Sequence, residues 1–395
     1  MSDTHDVGTI LEVTAGPHDR NNVIVSWPCA GDGCDCTKSH TLNELDENGN
    51  PGASVPCQCF TDCVYDDDDS ADECGELVWV VPQLKANETK RYVVGEGPSE
   101  ATQGVSIALT PGQQADIKVG GELFTSYVVK EGIARPYCYP VHGPGGAEVT
   151  NLGPSDHVHH RSMYVAQGET NGFDNWSELE GHASTVNADV KVAAQGPIFG
   201  DIVSYSDWVS PKGDKILHEI TRIRVYNTPD SARIMDWDIT WWAAYGGVFF
   251  GDTKEAGTLS VRVAESMEVR NGGTIRNSYG GINDDECWGK RAEWVDYYGP
   301  IASGVGGLTI MDHPQNLRYP TYWHVRGYGL FTANQWGIHD FTSDFSQRGD
   351  LSLPEGDALN FVFRVYIHEG DTVQADCAAK YLDFIYPPTV KKVEA

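Results

Sequence analysis

Ile216-Leu217-His218-Glu219-Ile220-Thr221-Arg222-Ile223-Arg224-Val225-Tyr226 is the stretch that decides the fold class. Ile216, His218, Ile220, Arg222 and Arg224 alternate with Leu217, Glu219, Thr221, Ile223 and Val225. A period of two is that of a β-strand, and two unlike faces mean two unlike surroundings. Similar β-branched or aromatic runs, bounded by Gly, Pro, Asn or Asp, recur at 22–27, 77–81, 106–109, 201–205, 233–242, 258–263 and 359–368. Helical spacing is confined to 376–384, where a short helix is expected. The 43 glycines and 20 prolines serve turns. The class is therefore all-β. Because no blade-length repeat recurs, a sandwich is expected rather than a propeller. The strand count fits a large antiparallel, supersandwich-like β-sandwich with a small Cys-rich amino-terminal β-module. Charge, cysteine density and turn content all change at 95–104, which divides the chain into 1–100 and 105–395.

The chain has 395 residues and a formal charge of −29. That balance opposes binding to nucleic-acid phosphates and to anionic membrane surfaces. No apolar run is long enough to span a bilayer, so no membrane span is expected. Residues 1–100 hold 20 of the acidic residues and only 5 basic ones. Their run Asp66-Asp67-Asp68-Asp69 reads as a solvated loop. A calcium site is the alternative, but the DxDxDG spacing is missing.

Seven of the ten cysteines lie close together: Cys29, Cys34, Cys36, Cys57, Cys59, Cys63 and Cys74. CxC spacing in an acidic, Gly-rich excursion points to disulfides, and hence to an extracellular or periplasmic compartment. Structural zinc competes, without the usual CxxC pairs. The polar start MSDTHDV shows no signal segment, which keeps a cytoplasmic location as the alternative. The sequons at Asn87 and Asn175 do not decide between them.

Four stretches concentrate chemistry. Asp156-His157-Val158-His159-His160-Arg161-Ser162 places three imidazoles in four residues. On a strand His160 would face away from His157 and His159, so a shared site requires a turn. Phe250-Gly251-Asp252-Thr253-Lys254-Glu255 reads as a charged hairpin turn, with Asp252 free to cap, ligate or orient a base. The third runs from Trp288 through Lys290, Arg291, Trp294, Asp296, Tyr297 and Tyr298. The fourth holds Asp312, His313, Arg318, Trp323, His324 and Arg326. Residues 288–326 carry four bases against three acids, a local excess of cations in an acidic protein. Flat aromatics beside guanidinium forks suit sugar faces, hydroxyls and carboxylates, which makes a carbohydrate the expected partner. The alternative is a structural cation–π network.

Taken in order, RPYCYPVHGPGG, DHVHHRS, NGFDNW, FGDTKE, NSYGG, WGKRAEWVDYYGP and DHPQNLRYPTYWHVRGYGL resemble the family labelled PmoA-related, over residues ~105–370. The resemblance implies a β-sandwich, often encoded beside sugar-catabolic genes. Its label implies methane oxygenation, which the lack of membrane helices opposes.

Three functional readings follow. The first is a carbohydrate-active enzyme, a lyase or hydrolase on an acidic or oxidised sugar. β-Elimination needs a base (His157, His160 or His324), a cation for the developing enolate (Arg161, Lys290 or Arg326) and an acid (Tyr297 or Tyr298). Trp288, Arg291, Trp294, Asp296, Arg318 and Trp323 would bind the sugar. Hydrolysis would need two carboxylates, for which Asp252 and Asp296 are the candidates. The second is a non-catalytic sugar-binding, structural or filament protein. The third is a metalloenzyme that holds a divalent metal through His159, Asp252 and His313, with His157, His324, Asp156 or Asp312 as further donors. No other cofactor is indicated, and an oligomer is compatible with all three.

Overall fold

The computed structural model describes residues 8–28, 39–61, 75–97 and 103–393. Two eight-stranded antiparallel sheets form a large β-sandwich, as expected. The first is ordered Tyr322–Val325, Leu330–Asn334, Ala256–Arg262, Met163–Gln167, Tyr137–Val141, Glu122–Val128, Gln114–Val119, Val105–Thr110. The second is ordered Ser184–Ala194, Phe199–Val209, Lys215–Tyr226, Ala232–Trp242, Ala358–Glu369, Gly304–Asp312, Trp294–Ile301, Thr274–Asn277.

Alternation explains the layering. In Ala358–Glu369, Phe361, Phe363, Val365 and Ile367 point into the core between the sheets, beside Ile117, Val261 and Phe331 of the first sheet. Arg364, Tyr366 and His368 point the other way. In Lys215–Tyr226 the inward row is Leu217, Ile223 and Val225, together with the buried Glu219. The outward row carries Arg222 and Arg224, which pair with the buried Asp201 and lie over the Phe60 ring.

A five-stranded and a three-stranded sheet, built from the first hundred residues plus Thr389–Val393, cover part of that outward face. The last strand pairs with Ile10–Thr14, so both ends of the chain share one sheet. In Gly75–Leu84, Leu77, Trp79 and Val81 fill the core of this amino-terminal pair, whereas Val78 packs with Phe199 and Tyr226 of the large sandwich. The expected short helix is present at Cys377–Ile385. No helix among the described residues is long and apolar enough to cross a membrane.

Cys57 and Cys59 lie on strand Cys57–Thr61, and no disulfide joins two described cysteines. Cys29, Cys34, Cys36, Cys63 and Cys74 lie outside the described residues, as does the Asp66–Asp69 run.

Candidate functional site

On the outer face of the first sheet, alternation sets polar side chains between core residues. His324 stands between the buried Trp323 and Val325, and Arg262 between Val261 and Val263. Loops 153–162, 174–177 and 253–255 rise around them and close a cleft of about 630 Å³. His157, His159, His160, His324, Trp288, Arg326 and Tyr328 line it, with Lys254, Glu255, Asp174 and Trp176.

The histidine stretch is a turn and not a strand. The His157 amide donates to Pro154 O at 3.0 Å, and the His160 amide to His157 O at 3.0 Å. That turn brings all three imidazoles to one side. The rings of His157 and His160 stack at 4.7 Å, and His157 stacks at 4.7 Å on Tyr328 as well. His159 meets His160 edge-on at 4.6 Å.

Arg262 is buried beneath this stack. It donates to His160 Nδ1 at 3.2 Å, to Asp156 at 3.0 Å and to Glu268 at 3.0 Å. A guanidinium only donates, so His160 Nδ1 accepts and the ring proton sits on Nε2. Burial, then the neighbouring His159 and Arg262, lower the His160 pKa to about 2, which keeps the ring neutral. For Asp156 burial acts upward, but the hydrogen bonds from Arg262 and His157 outweigh it and hold the carboxyl at about 2. Asp156 Oδ2 lies 3.1 Å from His157 Nδ1, within ion-pair distance. Burial, then Arg135 and His157, lower the His159 pKa.

His324 donates from Nδ1 to Lys254 O at 2.7 Å. Burial lowers its pKa to about 4. The Arg326 guanidinium lies 5.8 Å from the Trp288 ring and 5.9 Å from the Tyr328 ring. Tyr328 is held protonated chiefly by burial. Lys254 and Glu255 form an ion pair at the rim. Asp174 is occupied by the amides of Trp176 and Ser177 and by the Ser177 hydroxyl.

The other expected site residues lie elsewhere, for physical reasons. Lys290 is exposed and stands outside the cleft lining. Arg161 is ion-paired with Glu178, which also binds the buried Arg135, and it lines a different cleft. Tyr297 is buried and donates to Gly327 O at 3.0 Å, so it braces the turn behind Arg326 instead of facing a substrate. Trp323 is fully buried, with Nε1 donating to Ala292 O. Trp294 packs in the cluster outside the second sheet. Arg291 holds the backbone carbonyls of Arg318, Tyr319 and Pro320. Arg318 holds those of Gln335, Gly349 and Asp350.

Asp252 Oδ2 accepts from the His339 amide at 3.3 Å and from the Gly349 amide, and the His339 ring lies 2.6 Å from Oδ1, which pins the loop after Leu330–Asn334. His313 packs edge-on against Phe384. His159, Asp252 and His313 therefore do not form one metal site. Asp252 and Asp296 do not face each other across the cleft either, because Asp296 points outward from the second sheet. Among the described residues, the group of three His, Cys, Asp or Glu donors within 4.8 Å of one another is Asp296, His368 and Cys377.

Sequence reasoning missed Arg262, Tyr328, His368 and Cys377 as functional candidates. Arg262 carried a signal: a lone arginine between valines in an apolar strand. Tyr328 stood inside the motif that supplied His324 and Arg326.

The chain belongs to a family of unknown function (DUF6807), whose model matches residues 114–383. This match replaces the PmoA-related resemblance, over much the same stretch. No curated protein matches. Among solved structures, the chain is similar to an alpha-mannosidase from Enterococcus faecalis V583, with 9% identity, a TM-score of 0.48, and coverage of 98% of this chain and 46% of that one. It is also similar to a protein in the Glycosyl Hydrolase Family 38 from Enterococcus faecalis, with 8% identity, a TM-score of 0.45, and coverage of 99% and 49%. The chain thus spans about half the length of both.

Proposed function

We propose that the cleft binds an acidic sugar and cleaves it by β-elimination, with His157 as base. The carrying observation is a contiguous row: Asp156 lies beside His157, His157 stacks on Tyr328, and Arg326 lies over the Tyr328 ring. The row supplies an imidazole beside a carboxylate, a phenol and a cation on one wall.

In the proposed reaction Arg326 pairs with the sugar carboxylate and stabilises the enolate that develops on it. His157 Nε2 removes the proton from the carbon bearing that carboxylate. The electron pair forms the new C=C bond, the C–O bond to the leaving sugar breaks, and the departing oxygen takes the Tyr328 hydroxyl proton. The His157 proton then returns to Tyr328 through solvent. Trp288 offers a flat wall for the ring of the sugar.

Two-carboxylate hydrolysis fits less well. Of the cleft carboxylates, Asp174 is occupied by its own turn and Glu255 by Lys254.

The test is a screen of uronate-containing oligosaccharides for an unsaturated, ultraviolet-absorbing product in labelled water. Elimination gives that product with no label at the cleaved bond. Label at the bond would replace elimination with hydrolysis, and binding without any product would leave a sugar-binding protein.

A further inference from the structure

On the opposite side of the molecule, under helix Cys377–Ile385, three fully buried side chains of different chemistry meet. His368 Nε2 lies 3.0 Å from Asp296 Oδ1 and 3.7 Å from Cys377 Sγ. Thr309 Oγ1 adds a fourth polar atom, 3.1 Å from Asp296 Oδ1 and 3.2 Å from Cys377 Sγ. From this we infer that Asp296, His368 and Cys377 form a structural site for one zinc ion, which ties the helix to the second sheet.

One carboxylate oxygen, one imidazole nitrogen and one thiolate sulfur are the donor types that zinc accepts in four-coordinate sites. The three atoms lie within 4.8 Å of one another, a spacing a single ion can bridge. Their supports match those of metal ligands as well. Ligating imidazoles commonly donate their second ring N–H to a carbonyl, and ligating carboxylates are themselves hydrogen-bonded. Here His368 Nδ1 faces Glu369 O at 3.4 Å, and the free Asp296 oxygen accepts from the Thr372 hydroxyl at 2.6 Å.

The sequence also leaves room for the imidazole. A Cβ on Gly307 would stand 2.3 Å from His368 Cε1, so any side chain there would displace the ring. The charges close too. Zinc binding releases the thiol proton of Cys377, and ligation through Nε2 would place the His368 ring proton on Nδ1. The resulting Zn²⁺, thiolate and carboxylate sum to zero inside this core.

The ion would have a mechanical purpose. Beyond Cys377, the same helix carries Lys380 and Asp383, and Asp383 pairs with Arg20 of the amino-terminal strands at 3.0 Å. Fixing the helix start therefore fixes the element that joins the two parts of the chain.

The whole protein, stripped with a strong chelator and reloaded with cobalt(II), tests this. Expected are about one cobalt per chain, visible absorption of a tetrahedral ion and a near-ultraviolet sulfur-to-cobalt band, together with a raised Tm. Cys377→Ser should abolish the sulfur band. Thr372→Val, which leaves all three donors in place, should weaken zinc retention by about 10- to 100-fold. Should Cys377→Ser fail to fold, the Thr372→Val measurement decides alone. Wild-type protein with no sulfur band, or Cys377→Ser protein with an unchanged one, overturns the site. Neither outcome touches the elimination reading, whose residues lie in the other cleft.

Discussion

Arg262 reaches His160 Nδ1 at 3.2 Å from beneath the histidine turn, and the same guanidinium binds Glu268 and Asp156. Both Arg262 and Glu268 are 1% exposed. Removing Arg262 strips the buried Glu268 of its buried partner and leaves it the exposed Arg270, and breaking a buried pair costs about 3–5 kcal/mol. Arg262→Met should lower stability by that amount in chemical unfolding. The double variant Arg262→Met/Glu268→Leu should recover much of it, because the charges then left without these partners, Asp156 and Arg270, are exposed to water. Equal losses in the single and double variants would refute the pairing argument.

Glu219 is the polar member of an otherwise apolar inward row. Its carboxylate accepts the indole N–H of Trp208 at 2.9 Å and of Trp241 at 3.0 Å. Burial raises its pKa against these hydrogen bonds. Glu219→Met keeps much of the volume but removes the oxygen that both indole N–H groups share, so two buried donors lose their acceptor. A loss of about 1–3 kcal/mol is expected from the stranded donors. Urea unfolding followed by tryptophan fluorescence reads it directly, since both indoles lie at the site. An unchanged midpoint would show that the indoles do not depend on Glu219.

Acid should weaken the protein in a defined window. The fold lowers His324 to about 4 and His160 to about 2, from an ordinary value near 6.5. Both pKa values are depressed, so below about pH 6.5 the unfolded chain binds protons that the folded one refuses. The stability due to neutral burial is complete above that pH and falls as the pH drops toward 4, and for His160 further still. Asp312, raised by burial to about 7, works in the opposite sense and offsets part of this. His159 and His313, also lowered by burial, add to the loss, and the raised Glu219 joins Asp312 against it, which leaves a net loss at up to about 1.4 kcal/mol per group and pH unit. Asp156, held at about 2, adds a further loss between about pH 4 and pH 2. The Tm should therefore fall from pH 6.5 to pH 4, and less steeply in His324→Gln. A flat Tm across that range would contradict the neutral burial of these rings.

Sequence pattern located the strands because period two survives whatever the partner strand is. Leu217, Ile223 and Val225 went inward and Arg222 and Arg224 outward, as their alternation requires. The pattern did not reveal that the outward face is itself covered, since an arginine in contact with Phe60 and Asp201 looks in sequence like one facing water. The same blindness misplaced Arg291 and Arg318, whose forks hold backbone carbonyls, and Tyr297, which supports Arg326 from behind. His157, His160, His324, Arg326 and Trp288 did converge, because a turn overrides the strand parity that would have separated them. Asp296 was noticed for a sugar. Its partners His368 and Cys377 come from a strand and a helix some 70 to 80 residues away, and no local spacing announces such a meeting.

That sorting gives the kinetic prediction its controls. If His157 is the base, His157→Ala should lower kcat by about 10² to 10⁴ on whichever uronate substrate proves active. Arg326→Ala removes a charge that matters most as the enolate forms. The loss should be about 3 kcal/mol, or roughly a hundredfold, in kcat more than in KM. Tyr297→Phe, which touches only the backbone behind Arg326, should cost less than either. Lys290→Ala should leave both constants unchanged, because its side chain is exposed and outside the cleft. The comparison separates chemistry from surface charge: Lys290 and Arg326 carry the same charge and lie 36 residues apart, but only Arg326 stands over Tyr328. Equal losses in the Lys290 and Arg326 variants would mean that general electrostatic attraction governs turnover. An active His157→Ala protein with an inactive His159→Ala protein would move the base one ring along the same turn.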